Sequence, residues 1–69
     1  MAAIKLGIPF VKKGFEDETL MIMSADTVMD TVSIEVLKDI DGEIWRTRRY
    51  TSYTKIKEDF SNNIYEYLP

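Results

Sequence analysis

The chain contains neither cysteine nor histidine. That excludes disulfide staples and the common zinc sites, and it removes the usual proton shuttle and the usual thiol nucleophile. Glycine and proline are scarce, at three and two residues, and no linker, repeat or low-complexity segment is visible. Gly7 and Gly14 stand too far apart for a phosphate loop, and Gly14 is not followed by Lys-Ser/Thr. No long apolar run is present either. Leu20-Met21-Ile22-Met23 is far short of the ~20 residues that cross a bilayer. The start, Met1-Ala2-Ala3-Ile4-Lys5, lacks a basic region followed by a long apolar stretch, so no signal peptide is expected. These absences lead to the expectation of a soluble, cytoplasmic chain with no membrane partner.

Catalysis is poorly provisioned. Ser24, Ser33, Ser52 and Ser61 sit in no Gly-x-Ser-x-Gly context. Asp39, Asp41 and Glu43 cluster as a hydrolase pair would, but their spacing is that of a turn whose aspartates bond the local backbone. A calcium loop centred on Gly42 fails, because Leu37 and Arg48 would fill the positions where acids belong. The expectation is a protein that is not an enzyme, with no catalytic residue, no cofactor and no metal.

What is present is a folded domain. Sixty-nine residues, 45% of them apolar and eight aromatic, make one domain over residues 1–69. A chain this short buries only about 60% of the surface its unfolded form exposes. Without disulfide or metal, a partner subunit is the remaining support, so a homodimer is expected.

Charge is segregated along the chain. Residues 14–43 carry nine acids against Lys38 alone, whereas residues 44–57 carry Arg46, Arg48, Arg49, Lys55 and Lys57 with no acid. Such polarity marks either two oppositely charged faces or neighbouring strands that neutralise each other, the plainer arrangement.

Periodicity supplies the elements. Ile4, Leu6, Ile8 and Phe10 alternate with other residues, which predicts a first strand, and Pro9 places it on a sheet edge. Val11 to Gly14 reads as a turn. Thr19–Ser24 is a second strand, apolar on both faces and therefore central. Ser24–Asp30 is a polar connection that Val28 and Met29 are expected to plug to the body of the domain. Thr31–Leu37 is the clearest strand, with Val32, Ile34 and Val36 on one side. Asp39-Ile40-Asp41-Gly42 is a hairpin turn, and Glu43–Tyr53 forms the fourth strand and its exit. Ile56, Phe60, Ile64 and Leu68 then recur every fourth residue, one stripe of an amphipathic helix with Thr54 as N-cap and a weak point at Asn62-Asn63. The fold class is α+β: a four-stranded antiparallel meander with one C-terminal helix packed on one face.

The hairpin decides which way the fourth strand faces. A four-residue loop sets Val36 opposite Trp45 and Glu35 opposite Arg46, and a two-residue Asp41-Gly42 loop keeps the same sides. A three-residue loop would turn Arg46 into the core, at high cost. The accepted registers send Trp45 and Thr47 inward and turn Leu37, Ile44, Arg46, Arg48 and Tyr50 outward. Arginine and tyrosine on an apolar ground are the residue types of binding hot spots. The plainer reading of the same residues is a Glu35–Arg46 ion pair beside a solvated Arg48.

The leading expectation is a protein-interaction module with an unidentified protein partner, of the accessory, inhibitory or assembly kind common in phages and mobile elements. Partner binding is assigned to Leu37, Ile44, Arg46, Arg48 and Tyr50. A single-stranded nucleic-acid binder is the alternative, because Trp45 to Tyr53 interleaves cations with aromatics. Against it stand a pI near 4.8 and the inward Trp45. A second alternative is an acidic nucleic-acid mimic built on the acids of residues 14–43, weighed against a merely solubilising surface.

Overall fold

The computed structural model describes residues 4–69. Its elements run β1 (Pro9–Lys12), β2 (Phe15–Asp26), β3 (Thr31–Ile40), β4 (Glu43–Thr51), α1 (Tyr53–Ser61) and β5 (Tyr65–Tyr67). The five strands form one antiparallel sheet in the order β4-β3-β2-β1-β5. The α+β class, the meander of the first four strands and the central place of β2 are as expected.

Alternation builds the core on one face. Leu20 faces Val36 and Ile22 faces Ile34 across β2 and β3, and Phe10 faces Leu20 across β1 and β2. The buried cluster is Phe10, Leu20, Ile22, Val32, Ile34 and Val36, closed from above by Ile56 and Phe60 of α1. Burial of side chains of this size contributes about 1.5–3 kcal/mol each.

The first strand is shorter than its alternating pattern. Gly7 adopts φ +73 and turns the chain, its N–H reaching the Ile22 carbonyl at 2.9 Å, so the ladder starts only at Pro9. Nor does β1 lie on the edge, since β5 pairs with it from the other side at Phe10, Val11 and Lys12. A proline opening a strand need not donate, and the Pro9 carbonyl still accepts from Leu68 N at 2.9 Å.

The β2–β3 connection differs too. β2 runs on to Asp26, whose Oδ1 accepts from Val28 N at 3.0 Å and Met29 N at 3.1 Å. This Asx turn directs both side chains into solvent, Val28 at 90% exposure, so neither plugs the body of the domain.

Asp30 joins that turn to the helix. It holds φ +52, and its carboxylate receives Ser52 Oγ at 2.6 Å, Thr54 N at 2.8 Å and Thr54 Oγ1 at 2.7 Å. The N-cap is Ser52, not Thr54. Ser52 keeps extended dihedrals and accepts from Lys55 N at 3.1 Å, while Thr54 already lies within the helix. Hydrogen bonds from Ser52 and Thr54 hold the Asp30 carboxyl below its ordinary value of 3.8. A depressed pKa makes this contribution present above the ordinary value and lost as pH falls through the folded-state value. Acid titration of the melting temperature should therefore show a destabilising limb below 3.8 that is reduced in Asp30→Ala; an identical limb in both proteins would contradict the role.

The helix ends early. Asn62 caps α1, Asn63 at φ +61 reverses the chain, and Ile64 N bonds the Asp59 carbonyl at 2.9 Å. The predicted stripe is thus helical only at Ile56 and Phe60, and the remaining chain forms β5, a fifth strand beyond the four expected. Tyr65 and Tyr67 close the core there: the Phe60 and Tyr67 rings stack at 4.7 Å, and the Phe10 and Tyr65 centroids lie 5.3 Å apart. Asp59, buried on the inner side of α1, is paired with Lys55 Nζ at 3.2 Å.

Candidate interaction surface

The surface begins at the Asp41-Gly42 turn. Both residues take left-handed φ, +53 and +83, which defines a two-residue hairpin loop flanked by Ile40 and Glu43. Asp39 Oδ1 accepts from Gly42 N at 3.0 Å, so this acid serves the turn. The register that follows pairs Asp39 with Ile44, Leu37 with Arg46, Glu35 with Arg48 and Ser33 with Tyr50. All lie on the face away from the helix. Leu37, Ile44, Arg46, Arg48 and Tyr50 are thereby brought onto one side of the sheet.

That face mixes charge with apolar surface. Arg46 Nε lies 3.1 Å from Glu35 Oε1, a diagonal contact between cross-strand neighbours. Arg48 Nη1 donates to Ser33 Oγ at 3.1 Å. Ile44 and Tyr50 are 72% and 66% exposed, and Leu37 is half-buried. Leu37 and Ile44 line a shallow groove of about 230 Å³ with Thr19, Asp17, Lys38 and Asp39.

The other face of β4 departs from expectation. Trp45 and Thr47 do project to the helix side, since they face Lys38 and Val36. They are nevertheless exposed, Trp45 at 54%. The buried core beneath α1 draws only on β1, β2 and β3, so a residue of β4 can point to the helix side without being covered. Arg49 shows the same thing. It faces Ile34 and reaches Glu18 Oε2 at 3.3 Å, a cation on the core side of the sheet that the sequence reading overlooked. The parity of β4 was legible in the turn; its coverage was not.

The acids do not gather on one face. Glu35 and Glu18 neutralise Arg46 and Arg49 across strands, Asp39 and Asp26 serve turns, and Asp30 serves the helix start. Among the described residues no group of three metal-ligating side chains occurs, and no helix is long and apolar enough to cross a membrane. No protein-family model, curated protein or solved structure matches the chain.

Proposed function

We propose that this chain is a small, non-enzymatic protein-interaction module that binds through Leu37, Ile44, Arg46, Arg48 and Tyr50. One observation carries the reading. The sheet is sealed by α1 on one side only, and the open side presents exposed Ile44 and Tyr50 flanking two guanidinium groups. Aromatic and arginine anchors on such a face are the features that dominate binding energy at interfaces. Arg46 and Arg48 are already oriented by Glu35 and Ser33, so less side-chain freedom is lost on binding.

The double substitution Arg46→Glu with Arg48→Glu tests it. It reverses two exposed charges and sets two carboxylates beside Glu35, while leaving the buried cluster untouched. Affinity purification from the native cell, with a nuclease-treated arm, should show a protein captured by the wild type and lost by the variant by ~10-fold or more. Circular dichroism should be unchanged. Equal capture by both proteins contradicts the proposal.

The exposure of Trp45 favours a second reading, a single-stranded nucleic-acid binder. It is the weaker one, because Trp45 and Arg49 occupy one face of β4 while Arg46, Arg48 and Tyr50 occupy the other. Trp45 fluorescence titrated with single-stranded DNA at low salt decides it: quenching that salt reverses supports this reading, and a flat titration removes it.

A further inference from the structure

Among the described residues, the outer edge of β4 carries the longest row of backbone groups without a partner strand. In a two-residue hairpin the flanking pair, Ile40 and Glu43, exchanges both hydrogen bonds, and bonding then alternates along the ladder. Trp45, Thr47, Arg49 and Thr51 thus bond to β3, and the bond from Tyr53 N to the Asp30 carbonyl at 3.2 Å continues the same alternation. The N–H and C=O groups of Ile44, Arg46, Arg48 and Tyr50 point away from the sheet. Nine residues long, β4 contains no proline, glycine or register shift. The opposite edge, β5, is three residues long. Short edges protect themselves; a long regular one is a template for another strand.

Among the registers that pair seven or more residues of β4 with a second copy, charge chooses one. Two copies meeting antiparallel across a two-fold axis must set outward-pointing residues against one another, so the axis falls on a residue position. An axis at Thr47 sets Arg46 against Arg48 of the second copy, twice, with no compensating acid opposite. An axis at Arg48 gives one like-charge contact and no opposite-charge pair. An axis at Arg46 sets Glu43 against Arg49 of the second copy, twice, with Trp45 against Thr47 and Ile44 against Arg48. Only Arg46 then meets its own kind, and each Arg46 keeps Glu35 at 3.1 Å. Opposite-charge pairs across strands stabilise a sheet and like pairs destabilise it. Of these three placements the last is the one with charge complementarity.

We infer that β4 pairs antiparallel with β4 of a second copy about a two-fold axis at Arg46, joining two five-stranded sheets into one. The inference rests on the reading of β4 as an interaction surface and names its partner. The open faces of both copies become continuous, and Arg48 of the second copy comes to lie beside Ile44, next to Asp39. The small core gains the support that disulfides supply elsewhere.

The absence of cysteine permits a direct test of register. In this arrangement position 46 faces itself with Cα atoms about 5.5 Å apart, within disulfide range. Arg46→Cys should cross-link two chains under mild oxidation, and Thr47→Cys should not. Sedimentation of the wild type should show a dimer that dissociates on dilution. Arg48→Pro removes an outward N–H without touching the β3 ladder, and should weaken that dimer ~10-fold or more with circular dichroism unchanged. A wild type that stays monomeric from micromolar to millimolar concentration overturns the inference, as does preferential cross-linking through Thr47→Cys. A monomer whose captured partner is still lost on Arg46→Glu with Arg48→Glu would sink self-pairing alone and leave the interaction surface standing.

Discussion

Phe10→Ala should leave the chain without a cooperative folding transition, or with one shifted to much lower temperature. Phe10 is fully buried and is the point where β1, β2, α1 and β5 meet: it faces Leu20, and its ring centroid lies 5.0 Å from Phe60, 5.3 Å from Tyr65 and 5.8 Å from Tyr67. Truncating a buried phenylalanine costs about 3–5 kcal/mol, because the cavity adds to the lost transfer energy. Domains hold roughly 0.05–0.15 kcal/mol of stability per residue, so in a chain of this length that loss is a large part of the whole. Phe15→Ala is the control, since Phe15 is exposed, with the Lys12 ammonium over its ring 5.0 Å from the centroid. Thermal and urea melts should separate the two variants widely. Similar melts would mean that Phe10 is not at the centre of the core.

Two adjacent residues of β3 should give opposite results with the same substitution. Val36 is 3% exposed and faces Leu20 and Thr47 on the helix side. Val36→Glu places an unpaired carboxylate in the apolar cluster and should unfold the protein near neutral pH, with partial recovery in acid as the carboxyl is neutralised. Leu37 faces Thr19 and Arg46 on the open side. Leu37→Glu sets the new charge opposite a cation and should cost about 1 kcal/mol or less. Circular dichroism melts of the pair read out which face the helix covers. Equal destabilisation would mean that the open face is packed as well.

Local chemistry and tertiary arrangement were unequally readable from the residues. Asp39 to Gly42 marked a hairpin whose four- and two-residue forms both put each residue of β4 on the same side, so parity was legible although the loop length, two residues, was not. The one-sided pattern of Val32, Ile34 and Val36 likewise gave the core face. The cost of burying a charge keeps Arg46 on the open face, whereas Arg49 lies on the helix side and escapes to Glu18 at 3.3 Å. Whether a helix reaches as far as β4 depends on the path of the chain after Thr51, which no local pattern encodes. Trp45 therefore points to the helix side and still stands exposed.

The C-terminal strand was hidden by coincidence. Ile64 and Leu68 continue the four-residue spacing of Ile56 and Phe60, so the stripe looks longer than the helix. Asn63 breaks it by adopting a left-handed turn, a conformation that asparagine tolerates but does not announce. Three residues are also too few for a strand period to register, although Tyr65 and Tyr67 do point to one side. At the other end, Ile4 to Phe10 alternates well but is interrupted by the turn at Gly7. The five residues assigned to partner binding share a face as the turn dictates; what the turn could not convey is that the strand beneath them is also an open edge.

Amide hydrogen exchange along β4, followed by NMR at rising protein concentration, tests that edge most directly. Amides of Trp45, Thr47 and Arg49, bonded to β3, should be protected even in dilute solution. Those of Ile44, Arg46, Arg48 and Tyr50 should exchange freely there and become protected as the concentration rises. Unchanged exchange of the second group at every concentration would contradict pairing through β4, and protection of that group in a dilute monomer would show that the edge is not free at all.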